Sequence, residues 1–127
     1  MDVQVFFTSS EIVEPGLAPA EGVGSQVEFR GVVRGEEQGA RISALRYEIY
    51  PAMAEKVIRD ILADLEKIHP CLRVVVIHRF GIIPVGESAI YVRVDSKHRG
   101  EGFRLLEEFM NRLKKDVPIW KTEALPC

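Results

Sequence analysis

The sequence predicts an α+β fold: two helices on one face of a largely antiparallel sheet, a split β-α-β (hammerhead-like) core with two extra N-terminal strands. From residue 41 onward the hydrophobic period changes in the order strand, helix, strand, strand, helix, short strand. Prolines punctuate that order, with Pro51 where a helix can open, Pro70 where one must stop, and Pro118 and Pro126 in a tail they keep from becoming helical. At 127 residues the chain suits one domain, residues 1–127. A chain of this size buries roughly two thirds of the surface it exposes when unfolded, so no disulfide or metal is required for folding.

The elements follow in chain order. VQVFFTS reads as a first strand, and EPGLAPAEGVGS, 14 to 25, is a Gly/Pro/Ala loop with room for one short helical turn. QVEFRGVVR alternates apolar and polar residues as a second strand, and GEEQGAR, 35 to 41, is a polar, mobile connection. RISALRYEIY alternates again. In the segment 51 to 70, Met53, Val57, Ile61, Leu65 and Ile68 recur at helical spacing and predict the buried stripe of a first helix. LRVVVIHRFG is a β-branched strand, IIPVGE a turn, and SAIYVRVDS a strand that pairs with its predecessor. A second helix follows, with Asp95 or Ser96 as its cap and Phe103, Leu106, Met110 and Leu113 as its buried stripe.

Composition narrows the class. A hydrophobic fraction of 46% with 28% charged residues describes an ordinary globular protein. A formal net charge of −2 argues against broad electrostatic attachment to nucleic acid or to an anionic membrane, so any anion site is local. The opening MDVQVFFTSSEIVEP carries no basic leader and no long apolar run, so neither a signal peptide nor a membrane helix is expected and a cytoplasmic location is. Cys71 and Cys127 lie far apart with no ligand spacing around them, so no metal site is expected.

Three basic groups stand out by position. Arg34 ends the second strand, where a guanidinium can grip an anion through paired hydrogen bonds. Lys97, His98 and Arg99 open the second helix, whose unsatisfied N–H groups favour anions; cations there are electrostatically misplaced unless something negative is bound. Lys114 and Lys115 suit a helix C-terminus, but Lys121 has no such reason for its position. Beside Trp120 and near a second ammonium, a lysine can be rendered neutral and so serve as nucleophile or base. His78 and Arg79 end a strand and read as loop-orienting residues, and GVG at 22 to 24 lacks the context of a dinucleotide fingerprint.

Taken together, FRGVVR, LRYEIYPAMAEK, VVVIHRFGIIPVGE, VDSKHRGEGF and LKKDVPIWKTE resemble the large, catalytic subunit of molybdopterin synthase, the MoaE family, over about residues 29 to 123. Each motif alone is weak; the ordered set ending in P-[IF]-W-K-x-E is highly specific. The resemblance implies a sulfurtransferase of molybdenum cofactor biosynthesis that converts cyclic pyranopterin monophosphate (precursor Z) to molybdopterin. It implies no cofactor and no metal. Two sulfurs come from the thiocarboxylated Gly-Gly terminus of a small, ubiquitin-like, MoaD-like sulfur-carrier subunit, and two large subunits form a homodimer at the centre of a heterotetramer. Lys114 and Lys121 match the family's catalytic lysine pair; Arg34, His98 and Arg99 match its basic substrate-binding positions. Family members usually continue past WKxE and add another basic residue, whereas four residues follow Glu123 here. An inactive relative serving as a noncatalytic ferredoxin-like ligand-binding or regulatory module is therefore the alternative. RNA binding on the sheet is disfavoured by the lack of paired aromatic motifs and by the net charge.

Overall fold

The computed structural model describes residues 1–16 and 18–127. Along the chain run β1 (Asp2–Thr8), β2 (Ser25–Val32), β3 (Glu36–Glu37), β4 (Ala40–Ile49), α1 (Pro51–Ile68), β5 (Arg73–Arg79), β6 (Gly81–Pro84), β7 (Ser88–Ser96), α2 (Arg99–Asp116) and β8 (Ile119–Pro126). The fold is α+β and largely antiparallel, and its strands divide between two sheets. One has the order β1-β5-β7-β2, with only β1 and β5 parallel. The other has the order β3-β4-β6, with β8 also paired to β4. The β2–β7 ladder is irregular between Gly31 and Val32, and a bulge of this kind bends a strand and ends its pairing. There the chain leaves the first sheet for the second.

Both helices pack on one face of the first sheet. Val74, Val76, Val92 and Val94 from β5 and β7 meet Ile58 and Leu62 of α1 and Leu105 and Phe109 of α2 in one core. The alternate residues Val75, Ile77 and Tyr91 face the other way and are covered in part by Ile12. Strands buried on both faces read as unbroken apolar runs, which is why VVVI and AIYV show little alternation. A second, smaller core joins Ile42, Leu45 and Ile83 of the second sheet to Val33 and Ala89.

The buried stripes overlap those the sequence suggests, with Ile61, Leu65 and Leu113 buried as expected and the rest of each stripe displaced by one position. In α1 the buried residues are Ala54, Ile58, Ile61, Leu62 and Leu65, while Met53 and Ile68 are exposed. In α2 they are Gly102, Leu105, Phe109 and Leu113; Phe103 is exposed, and Leu106 and Met110 sit at the core margin. Small residues decide the contact. A side-chain carbon on Gly102 would lie 3.0 Å from Ser96 Oγ and 3.4 Å from Val27, so α2 reaches the sheet through its glycine. Neither Asp95 nor Ser96 caps α2: His98 is the N-cap residue and makes no side-chain cap, and Ser96 Oγ donates to the His98 carbonyl at 2.7 Å.

Two connections also differ from expectation. GEEQGAR is a tight hairpin joining β3 to β4, with Gln38 (φ 51°) and Gly39 (φ 81°) both in the left-handed region that a two-residue hairpin turn demands. IIPVGE is half strand, since β6 pairs with β4 before the chain turns at Gly86 (φ 89°). In the segment 14 to 25, residue 17 lies outside the described residues, and among the others there is a turn at Glu21 and Gly22 and no helix.

The outer face of the first sheet is held by charge. Asp95, 1% exposed, accepts hydrogen bonds from Arg93 (3.0 Å) and Arg73 (2.9 Å), and Arg73 also donates to the Ala18 carbonyl at 3.2 Å. Burial pushes the Asp95 carboxyl up, yet the hydrogen bonds and charges of Arg93 and Arg73 together outweigh it and hold the group below its ordinary value of 3.8. The stability it adds is therefore complete above about pH 4 and is lost as pH falls through the lower native value. Asp95→Ala strands buried guanidinium charge and is expected to cost about 3–5 kcal/mol in chemical denaturation. Asp95→Asn is expected to flatten the acid limb of the stability–pH curve, and an unchanged limb would show that the carboxylate is not the titrating group.

Candidate active site

Arg34, Lys114 and Lys121 come from three separate parts of the chain and line one cavity of about 370 Å³. Each is delivered by a different local constraint. Val33 is buried and pinned on both sides, its N–H to the Glu87 carbonyl (3.0 Å) and its carbonyl to Gly86 N–H (2.9 Å), so Arg34 follows a fixed anchor. Lys114 lies in the last turn of α2, next to the buried Leu113. Lys121 sits on β8 directly across from Tyr47 of β4, and both line the cavity.

The ladder explains which way Lys121 faces. Adjacent strand residues point to opposite sides, so Trp120 faces away from the cavity and meets Tyr50 edge-on, with ring centroids 5.0 Å apart. The packing of Lys121 beside Trp120, expected from their adjacency, is not found. The Lys121 ammonium instead meets Glu37 of the β3–β4 hairpin, Nζ to Oε1 3.5 Å. The register shifts between Arg46 and Tyr47 leave Thr122 without an opposite residue, and Glu123 pairs with Arg46 at 3.1 Å. The glutamate of WKTE thus ties β8 to β4.

The cavity walls are apolar where Leu45, Ile90, Leu113 and Ile119 contribute, and basic where the three cations converge. Among the described residues neither Arg34 nor Lys114 has a carboxylate partner. Unpaired donors over an apolar floor suit an anionic group attached to a flat organic body. Arg34 also borders an adjoining open cleft of about 600 Å³ under the hairpin, shared with Arg41. Among the described residues no three His, Cys, Asp or Glu side chains gather as a metal would need, and no helix is long and apolar enough to cross a membrane.

His98 and Arg99 do not line this cavity. They are exposed at the start of α2, whereas Lys114 is near its end, on the order of 22 Å away at about 1.5 Å per residue. Their segment is held by Gly24, where any side-chain carbon would collide with the Lys97 carbonyl, and by the Gly24 N–H to Ser96 carbonyl bond of 3.0 Å.

Sequence reasoning gave no place in the site to the polar lining residues Glu37 and Tyr47, and read His78 as loop-orienting rather than as cavity lining. His78 is 4% exposed and its Nδ1 lies 2.8 Å from the Arg79 carbonyl. Burial lowers its pKa to about 4 against the raising effect of that hydrogen bond, so the imidazole is neutral at physiological pH. Burial, and then Glu37, raise the Tyr47 phenol above its ordinary value, which keeps it protonated. The signal for His78 was available in the strand itself: it continues the helix-facing set Val74 and Val76.

The family model described as "MoaE protein" matches residues 6–116. A molybdopterin synthase catalytic subunit of Pasteurella multocida is 40% identical over 107 residues, covering 84% of this chain and 71% of that one. One from Thermoplasma volcanium is 33% identical over 126 residues, covering 93% and 92%. Among solved structures, the crystal structure of molybdopterin synthase from Staphylococcus aureus superposes with a TM-score of 0.76 at 30% identity, covering 84% of this chain and 82% of that one. With its fold, its motifs and most of its length matched, the chain belongs to the MoaE family.

Proposed function

We propose that this chain is the catalytic subunit of a cytoplasmic molybdopterin synthase, converting cyclic pyranopterin monophosphate to molybdopterin with sulfur from the C-terminal thiocarboxylate of a small, ubiquitin-like carrier subunit. The observation that carries this reading is the convergence of Arg34, Lys114 and Lys121 on one partly apolar cavity in a chain of the MoaE family. Residues 1–127 act as one domain, since the site draws on both sheets and on α2.

The chemistry asks little more of the protein than position and charge. A thiocarboxylate sulfur must attack a carbon that bears oxygen, forming a C–S bond as the C–O bond breaks and negative charge builds on the departing oxygen. Water then cleaves the resulting thioester, leaving the sulfur on the pterin and a carboxylate on the released carrier. Lys114 and Lys121 attract the carboxylate end of the carrier's tail, hold its sulfur near the pterin and supply protons to the leaving oxygen. Arg34 grips the substrate's phosphate. The apolar walls strengthen each of these contacts by excluding water. His98 and Arg99 join the site from a second copy of the chain: 22 Å is too far for a small pterin monophosphate to span within one protomer, while two-fold pairing can set one copy's α2 start against the other's α2 end. The working assembly is then a homodimer with a carrier subunit at each outer end, and no metal or cofactor is needed for these steps.

Lys121→Ala and Lys114→Ala are each expected to lower molybdopterin formation by about 100-fold or more, the scale of removing one preorganised charge-stabilising donor. Their melting temperatures should stay near wild type, because exposed lysine substitutions change stability by about 0.5 kcal/mol or less. Near-normal turnover in both variants would refute the assignment. A carrier subunit lacking its last two glycines should lose turnover and most of its binding. Mixing inactive Arg99→Ala and Lys121→Ala chains should restore roughly a quarter of wild-type activity, since half of randomly paired dimers are mixed and each holds one intact pocket. A mixture that stays inactive after demonstrated subunit exchange would rule out the shared site.

A further inference from the structure

His78 is buried, polar and unused by the chemistry above. A carbonyl oxygen cannot donate, so the contact to Arg79 fixes the proton on Nδ1 and leaves Nε2 as an acceptor. Among the described residues Nε2 has no hydrogen-bond partner, it is not fully occluded, and His78 lines the cavity. The cavity is the open space that His78 borders. Tyr47 braces the ring from the second sheet, with centroids 5.5 Å apart.

The balance of donors and acceptors gives this atom its purpose. Arg34, Lys114 and Lys121 can only donate. Glu37 already faces Lys121 at 3.5 Å. A ligand that carries N–H groups as well as an anion would enter a cavity rich in donors with few atoms to receive its own. We infer that His78 is a further ligand-binding residue of this cavity, its Nε2 accepting a hydrogen bond from an uncharged N–H of the bound reactants. This rests on the function proposed above. Two sources carry that chemistry: a ring N–H of the pterin substrate, and the backbone N–H of the carrier's last glycine. A neutral acceptor is suited to either, because a charged imidazole would repel the surrounding cations and could only donate.

Two amide substitutions separate this role from a structural one. His78→Asn places an amide near the Nδ1 position, keeping the bond to Arg79 and withdrawing the acceptor from the cavity. His78→Gln places an amide near the Nε2 position, restoring that acceptor. With substrate and thiocarboxylated carrier, His78→Asn should raise a KM about tenfold, the effect of one lost hydrogen bond to a buried group, while His78→Gln stays within about threefold of wild type. A rise confined to the substrate KM identifies the ring N–H; one confined to the carrier KM identifies the glycine. The reverse order, with Gln impaired and Asn normal, overturns the inference in favour of a purely structural imidazole, as do two unchanged KM values. If neither variant folds, ¹⁵N-histidine NMR of the wild type decides: the His78 Nε2 resonance should move when substrate or carrier is added, and an unmoved resonance with both bound overturns it. Molybdopterin formation by the wild type, measured alongside, separates failure of this inference from failure of the synthase reading.

Discussion

The antiparallel pairing of β8 with β4 is the constraint on which the site depends. After α2 the chain cannot continue as helix through Pro118, and its unsatisfied backbone groups are taken up by β4 from Ile42 to Ile49. Tyr50 N–H, at the entrance to α1, donates to the Pro118 carbonyl at 3.3 Å, so the start of one helix and the end of the other are tied to the same point. Lys121 is thereby set against Tyr47, and Lys114 is carried to the same cavity. Each ladder hydrogen bond is worth only about 1 kcal/mol net, but together they determine a register, and a slip of one residue would turn Lys121 outward and Trp120 inward.

Charge is treated differently on the two sides of the molecule. On the outer face of the first sheet the buried ions are matched inside the chain, Asp95 serving Arg93 and Arg73 at once. In the cavity, Arg34 and Lys114 have no carboxylate partner among the described residues and Lys121 has only a long contact to Glu37. The first arrangement stabilises the fold. The second leaves positive potential for a ligand, within a chain whose net charge is −2.

The helices show how far pattern reading reaches. Apolar residues at i and i+4 occur in two neighbouring rows of α1, Met53–Val57–Ile61 and Ala54–Ile58–Leu62, and periodicity cannot choose between them. In the first half of α1 the sheet selects the row with the small Ala54, which permits close approach, and leaves Met53 in water, whereas farther along Ile61 and Leu65 of the other row are buried as well. The same preference selects Gly102 over Phe103 in α2. The β3–β4 hairpin is ambiguous in sequence for a comparable reason: a polar Gly-containing segment suits a loose loop as well as a tight turn, and two positive φ values distinguish them.

By itself the sequence determined the order of the main strands and of both helices, though not the short β3 and β6, because hydrophobic period and proline placement act over a few residues. It also determined the family, because the order of several motifs is specific. It singled out Arg34 by its place at a strand end and Lys121 by its proline-bounded tail, while Lys114, whose position the helix dipole explains, was marked by the family motif. That His98 and Arg99 lie at the opposite end of α2 from Lys114 was already legible in the sequence, but only the tertiary structure decided that Arg34, Lys114 and Lys121 share a cavity. It alone turned Lys121 away from Trp120, brought Glu37 to it, and made a buried, neutral acceptor of His78. Those outcomes depend on contacts between residues far apart in the chain, and desolvation and cross-strand register exist only once those contacts have formed.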